Sequence, residues 1–352
     1  CNPRLLSSSP HLQSSANTNM KLTKEEIEKQ AMSETLSPCA NVRRTAKAIM
    51  NECQRPNPSV RIDNSSLDAL ADKIVQAIEA QNGLSNFAAW DEGDWHYIGD
   101  KTPGSCMSNG VSDSLLLGRD ERVALYVLTL DALNFCFWPT PDRTKIPYEV
   151  LAVALRKIVE AWEVDGACAE KAFPLSPDSL AHLSVQKFEE LLRPHMPVML
   201  PELEERCRLL NELGRGLIVH HEASAMTMIQ KAGGSAELLV SILLDTFPGF
   251  RDACVTASGR QAFFYKRAQI TVADLWAAFQ CLPGDLSAAC DFYDCDKITT
   301  FADYRVPQLL RHYGVLVYSD ALAQKVDSNT EIPAGSMDEI YIRAGTVVAV
   351  DR

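Results

Sequence analysis

A chain of 352 residues, 46% hydrophobic and 23% charged, can bury a large core in one or two domains and has the composition of an ordinary soluble globular protein. Its net charge of -12 argues against a polyphosphate partner, which wants a basic face, but leaves room for a small anion held by two or three local cations. Eleven cysteines, an odd number without CxxC pairs, fit free thiols in a reducing, cytoplasmic compartment better than a disulfide framework.

Residues 1–40 begin Ser- and Asn-rich and read as a disordered or weakly helical N-terminal extension without a secretory leader. The first residue is Cys1 rather than Met, which leaves the true start open upstream. Residues 40–53 and 66–80 carry helical periodicity, the second stretch with Leu67, Leu70, Ile74 and Ala77/Ile78 on one face. Residues 97–118 are Gly/Ser/Asn-rich and read as a long exposed loop. Residues 122–138 are nearly all apolar and end in LNFCFW. Asp131 and Asn134 interrupt them, and the run is short for a membrane span of roughly 20 residues, so it is a core element.

An amphipathic helix is predicted over 148–163, with Leu151, Ala154, Leu155 and Ile158 on one side. Ser176 and Ser184 open segments patterned as capped helices. A long Glu/Arg-rich helix is predicted over 201–219, with Leu203, Leu209, Leu210, Leu213 and Leu217 inward, and another over 235–246 that stops at Phe247-Pro248-Gly249. Residues 263–279 form a predicted central helix, apolar almost all round. The stretch 298–319 places Asp303 between Phe301 and Tyr304, just before a helix starting near Pro307 and closed by Gly314. EIYIRAGTVVAV over 339–350 gives the clearest strand pattern. The fold class is mainly α, with a small β element near the C-terminus.

Four constellations can carry chemistry. Asp303 lies among Phe301, Tyr304 and Arg305, and a lone acid among aromatics is costly to bury unless something uses it; an internal clasp with Arg305 is the even-odds alternative. Lys266 and Arg267 stand on an apolar helix and call for an anionic partner, unless they snorkel to its surface. Asn134, Phe137 and Trp138 suit a flat heterocycle by stacking and edge hydrogen bonds, or else form a core aromatic cluster. Trp90, Trp95 and His96 suggest a lid, or a solvent-side aromatic patch. Metal readings are weak: His220 and His221 are adjacent, and Cys290 and Cys295 lack partners at zinc spacing. Nucleotide-cofactor motifs are absent, so no cofactor is expected.

The segments LNFCFWP, ERCRLLNELG (205–214), FPGFRD (247–252), FYKRAQITVADLW (264–276) and ITTFADYRVPQLLRHYGVLVYSD (298–320) together resemble the queuosine salvage protein family, whose members are queuosine 5′-phosphate N-glycosylases. The resemblance covers roughly residues 40–352. It implies a single domain over 41–352 with a helical fold related to helical DNA glycosylases, no metal or cofactor, and hydrolysis of the bond between queuine, a 7-deazaguanine base, and ribose 5-phosphate. Queuosine 5′-monophosphate would be the small-molecule substrate, with no nucleic-acid polymer or membrane as partner.

On this resemblance Asp303 is the catalytic carboxylate, and Phe301 with the LNFCFW aromatics sandwiches the base. Lys266, Arg267 or Arg305 binds the 5′-phosphate, Tyr304 lines the site, and His96 aligns less securely with a histidine at the ligand mouth. The loop beside His96 departs from the family pattern. The family also continues past Arg352, so the chain reads as truncated at its C-terminus. Asp131 and Asp274 read as helix-edge residues, which leaves the acid partner of the base's protonated amine to the segment beyond Arg352. The rival classes are a nucleic-acid-binding, glycosylase-like helical protein acting on or binding a polymer, and a non-catalytic interaction protein in which Asp303 is only a clasp.

Overall fold

The computed structural model describes residues 37–53, 58–80, 90, 95–99, 118–138, 146–166, 172–280 and 290–352. The expected N-terminal extension and most of the 97–118 loop lie outside the described residues. Helix α1 (Pro38–Glu52) starts where Ser37 Oγ accepts from Ala40 N at 3.3 Å and Pro38 supplies the φ of a first turn. Strand β1 (Val60–Ile62) and helix α2 (Asn64–Ala80) follow. The apolar face predicted for α2 is not core: Leu70 is buried, but Ile74 and Val75 are about half exposed.

Helix α3 (Arg119–Ala132) is buried on every side from Glu121 onward, as its nearly continuous apolar sequence requires. Helix α4 (Tyr148–Gly166) turns Leu151, Ala154, Leu155 and Ile158 inward. The caps read from sequence hold for α5 (Pro177–Ala181) and α6 (Val185–Leu192): Ser176 Oγ accepts from Ser179 N at 3.2 Å and Ser184 Oγ from Lys187 N at 3.1 Å. Helix α7 (Leu203–His220) packs on α5, helix α8 (Ala225–Lys231) on α3, and α9 (Ala236–Thr246) ends as predicted before Pro248. Glu121 of α3 caps α8, accepting from Ala225 N at 2.6 Å and Met226 N at 2.9 Å.

An antiparallel hairpin, β2 (Ala253–Val255) with β3 (Gln261–Phe263), leads into α10 (Lys266–Gln280). The predicted start of this helix at Phe263 is corrected here. The Asp252 carbonyl accepts from Phe264 N at 3.0 Å and Tyr265 N at 3.1 Å, and its Oδ2 accepts from Lys266 N at 3.1 Å. Tyr265 takes φ +49 to make the turn, so the helix begins one residue later. Packed between α3 and α9, α10 is central.

Helix α11 (Arg305–His312) ends at Gly314, whose φ of +77 is the left-handed conformation predicted for it. Strand β4 (Leu316–Tyr318) then pairs antiparallel with β1, Val60 opposite Tyr318, and helix α12 (Asp320–Asp327) follows. β4 is the small β element near the C-terminus.

The tail is not a strand. Residues 337–350 form helix α13 (Met337–Val350) against α1. Two helical signals were overlooked beneath the alternation of β-branched residues. Ser336 and Glu339 make a capping box, with Ser336 Oγ accepting from Glu339 N at 3.4 Å and Glu339 reaching back to Gly335 N. Ile340, Ala344, Val347 and Val348, all buried, keep helical spacing. Gly345 lets the helix lie close to the β1–β4 pair: a Cβ there would sit 3.2 Å from Leu316 and Val60 side-chain carbons.

Candidate active site

The end of α3, the start of α10 and the loop before α11 converge on one group of charged side chains. The loop is held from below. Gln269 of α10, fully buried, donates Nε2 to Phe264 O at 2.9 Å, and its Oε1 accepts from Thr299 N at 2.8 Å and Thr299 Oγ1 at 3.0 Å. Arg343 of α13 donates Nε to Ala302 O at 2.7 Å, stacks 4.0 Å from the Phe264 ring centre and forks onto Asp252, at 2.9 Å through Nη1. Burial works to raise the Asp252 pKa, but the Arg343 charge and hydrogen bonds outweigh it and hold the carboxyl below the usual range. Asp252 thus ties the hairpin, α10 and α13 together beneath the site.

Above this layer, Asp303 is half-buried, and its Oδ1 accepts from Arg305 N at 2.7 Å and Val306 N at 3.0 Å, closing the first turn of α11. Its other oxygen makes no hydrogen bond among the described residues. Lys266 is buried, and its Nζ donates to Asn134 O at 3.0 Å. Burial pushes its pKa down, and the charges of Asp131, Asp303 and Asp274 oppose that. Asp303 and Lys266, 37 residues apart in sequence, are therefore brought close enough for their charges to act on each other.

Asp131 and Asp274 are not helix-edge residues. Asp131 is fully buried at the end of α3, where Asn134 Nδ2 donates to Oδ1 at 3.3 Å and hydrogen bonding from Thr271 also works to lower its pKa. Asp274, on α10, keeps partial exposure yet is crowded by protein. Burial raises both carboxyls, Asp274 further through the charge of Asp131, while Lys266 opposes the shift of each.

The aromatic side chains divide. Phe137 is buried edge-on to Tyr148, with ring centres 6.3 Å apart, while Trp138 and Phe301 are half-buried. Phe135 is taken up by stacking under both Arg206 (4.4 Å) and Arg267 (4.9 Å). Tyr304 is half-exposed beside Asp303 and Arg305, close enough to Cys136 and Arg206 for their charges to act on its phenol. Arg267 is committed elsewhere: it donates Nη1 to Ala132 O at 2.6 Å and Nη2 to Gly249 O, a backbone clasp and not a free anion fork. Arg305 is exposed and makes no side-chain hydrogen bond among the described residues.

Trp90 and His96 are buried, which rules out the solvent-side patch; Trp95 is 39% exposed. His96 stacks on Trp90 at 3.9 Å, and its Nε2 lies 3.1 Å from the Tyr148 hydroxyl. Tyr97, at the start of the predicted exposed loop, is instead buried and bonded to Arg122 and Glu163. Burial, helped by the Arg156 charge, pushes His96 down to about 4, so the ring is neutral in the fold near pH 7. An unfolded chain takes up that proton near pH 6.5. Stability therefore falls as pH drops from about 6.5 towards 4. His96→Gln should flatten that part of a melting-temperature profile; an unchanged slope would show that His96 does not titrate this way.

Sequence reasoning missed Tyr148, Asp252, Gln269 and Arg343. Their roles rest on contacts made by tertiary folding, although FPGFRD did single out the Asp252 segment.

A profile of the family described as Queuosine salvage protein matches residues 116–352. The chain belongs to that family. The match includes Asp131, Lys266, Asp274 and Asp303, and it leaves His96 outside. Among curated relatives, the queuosine 5′-phosphate N-glycosylase/hydrolase of Sphaerobacter thermophilus is 39% identical over 239 residues, 66% of this chain and 68% of the relative. The protein of the same name in Dictyostelium discoideum is 38% identical over 232 residues, covering 66% and 65% of the two chains. That of Mus musculus is 30% identical over 298 residues, covering 84% and 82%. Among the described residues no helix is long and apolar enough to cross a membrane.

Proposed function

We propose that this chain hydrolyses the N-glycosidic bond of queuosine 5′-monophosphate, releasing queuine for salvage into tRNA and ribose 5-phosphate. The observation that carries the reading is the family match, whose range spans Asp131, Lys266, Asp274 and Asp303. A soluble, cofactor-free cytoplasmic enzyme forming one domain over 41–352 and related in fold to helical DNA glycosylases is part of the same proposal. The described cysteines, all free thiols, fit that compartment.

In the reaction, the bond from C1′ to the base breaks with its electrons going to the base nitrogen. Water supplies hydroxyl to C1′ and a proton to the departing base. Positive charge builds at C1′ and the ring oxygen, as in other glycoside hydrolyses. Asp303 is the carboxylate for that charge, or the base for the attacking water: one oxygen is fixed by two backbone N–H groups and the other is left to act. A 7-deaza base has carbon in place of N7, so N7 protonation cannot activate the leaving group, and more of the work falls on charge stabilisation. Lys266 lies close enough to Asp303 for its charge to matter. Phe137, Trp138 and Phe301 flank the base.

The 5′-phosphate is assigned to Arg305, because Arg267 is bonded to backbone and Lys266 sits among carboxylates. Arg305→Ala should raise KM for the monophosphate roughly 10-fold and leave any hydrolysis of the bare nucleoside unchanged. Equal losses on the two would place the phosphate elsewhere.

The function itself is tested by incubating the protein with queuosine 5′-monophosphate, queuosine and queuosine-containing tRNA, then assaying free base. Release from the monophosphate is the expected result. Release from tRNA alone would favour a polymer-directed enzyme.

A further inference from the structure

Lys266 and Asp303 come from different segments, and one largely buried ion pair joins the backbone behind both. Arg343 and Asp252 are only 15% and 24% exposed, and the guanidinium forks onto the carboxylate, at 2.9 Å through Nη1. A pair that merely fastened α13 to the hairpin would stop there. This one continues in two directions. Asp252 Oδ2 accepts from the backbone N–H of Lys266 at 3.1 Å, and the Asp252 carbonyl accepts from Phe264 N and Tyr265 N, the turn in which Tyr265 takes φ +49. On the other side, Arg343 donates Nε at 2.7 Å to the Ala302 carbonyl, which belongs to the peptide joining Ala302 to Asp303. The Phe264 ring, 4.0 Å from the guanidinium, limits the plane that fork can take. Fastening alone does not call for these bonds, because α13 already packs on α1 and buries Ala344, Val347 and Val348. The other end of the Asp303 loop is held separately, by Gln269 on Thr299.

Resting on the proposed hydrolysis, we infer that Arg343 is a positioning residue for the reaction: through Asp252 and the Ala302 carbonyl it sets where the Asp303 carboxylate stands relative to Lys266 and to C1′ of the substrate. Arginine suits the position because its planar fork serves two carboxylate oxygens while its third nitrogen serves a carbonyl. Stabilising charge that develops at one carbon depends steeply on placement, and a misplacement of about 1 Å can cost roughly 100-fold in rate.

The test separates placing from fastening. Arg343→Lys keeps the charge and one contact to Asp252, but a single ammonium cannot fork onto the carboxylate and hold the Ala302 carbonyl as well. kcat for queuosine 5′-monophosphate should fall roughly 10- to 100-fold. Affinity for queuine, measured by titration calorimetry, should stay near wild type. Asp252→Asn, which keeps shape and removes the charge that orients the guanidinium, is the second variant and should lower kcat in the same way. Thermal melting reports whether each is folded at the assay temperature. Wild-type kcat in both variants would overturn the positioning role and leave the pair a fastener of α13. A loss of queuine affinity as large as the loss of kcat, or failure of both variants to fold, would overturn it too. The underlying reading is checked in the same assay. No base released by wild type would sink the hydrolase reading and the positioning role with it, whereas cleavage by wild type matched by both variants would sink the positioning role alone.

Discussion

Asp303→Asn should lower kcat by about 10³-fold or more while leaving substrate affinity largely intact. An asparagine oxygen can still accept from Arg305 N and Val306 N, so the start of α11 and the loop below it should survive the change. Only the charge is lost, and charge matters most as the oxocarbenium character develops. The same substitution separates catalysis from the clasp reading. If Asp303 serves only to cap the helix, asparagine restores the cap and turnover stays near wild type. Stopped-time assays of kcat with calorimetric Kd values distinguish the two.

Arg206→Ala should be the most destabilising single change near the site. Arg206 is fully buried and donates to Leu133 O (2.5 Å), Phe135 O (2.5 Å), Cys136 O (2.6 Å) and Pro201 O (2.8 Å), with its plane against Phe135 and Phe137. These bonds hold residues 133–138 in a bend where Cys136 takes φ +47, a conformation costly for a residue with a Cβ. Removing the guanidinium strands several carbonyls and opens a cavity, a loss of about 3–5 kcal/mol. Arg206→Lys, with three donors and no fork, should recover only part of that. Denaturant melts give the stability, and turnover should fall alongside because Asn134 and Phe137 sit on the bend. A midpoint unchanged in Arg206→Ala would show that the bend holds itself.

Local chemistry was legible in the sequence. Serine caps at Ser176 and Ser184, the glycine stop at Gly314 and the apolar run of α3 each depend on residues a few positions apart, and each was found as written. Asp303 stood out because its neighbours are aromatic. The tail was misread because β-branched alternation competes with a 3.6-residue period in so short a stretch, and packing of α13 against α1 decided it. Asp131 and Asp274 were passed over for a different reason. Periodicity gives the side of a helix on which a residue lies, but not what meets that side, and here the packing of α3 on α10 brings the charge of one acid to bear on the other. Arg343 reaches Asp252 from 91 residues away, a separation at which sequence carries no local signal.

The central claim is that the site around Asp303 cleaves a nucleotide. Its most direct measurement is a chromatographic time course of wild-type protein with queuosine 5′-monophosphate, run beside Asp303→Asn and quantifying both products. Queuine and ribose 5-phosphate should appear in equal amounts with wild type and not measurably with the variant. No release from wild type, or equal release from both, would contradict the account.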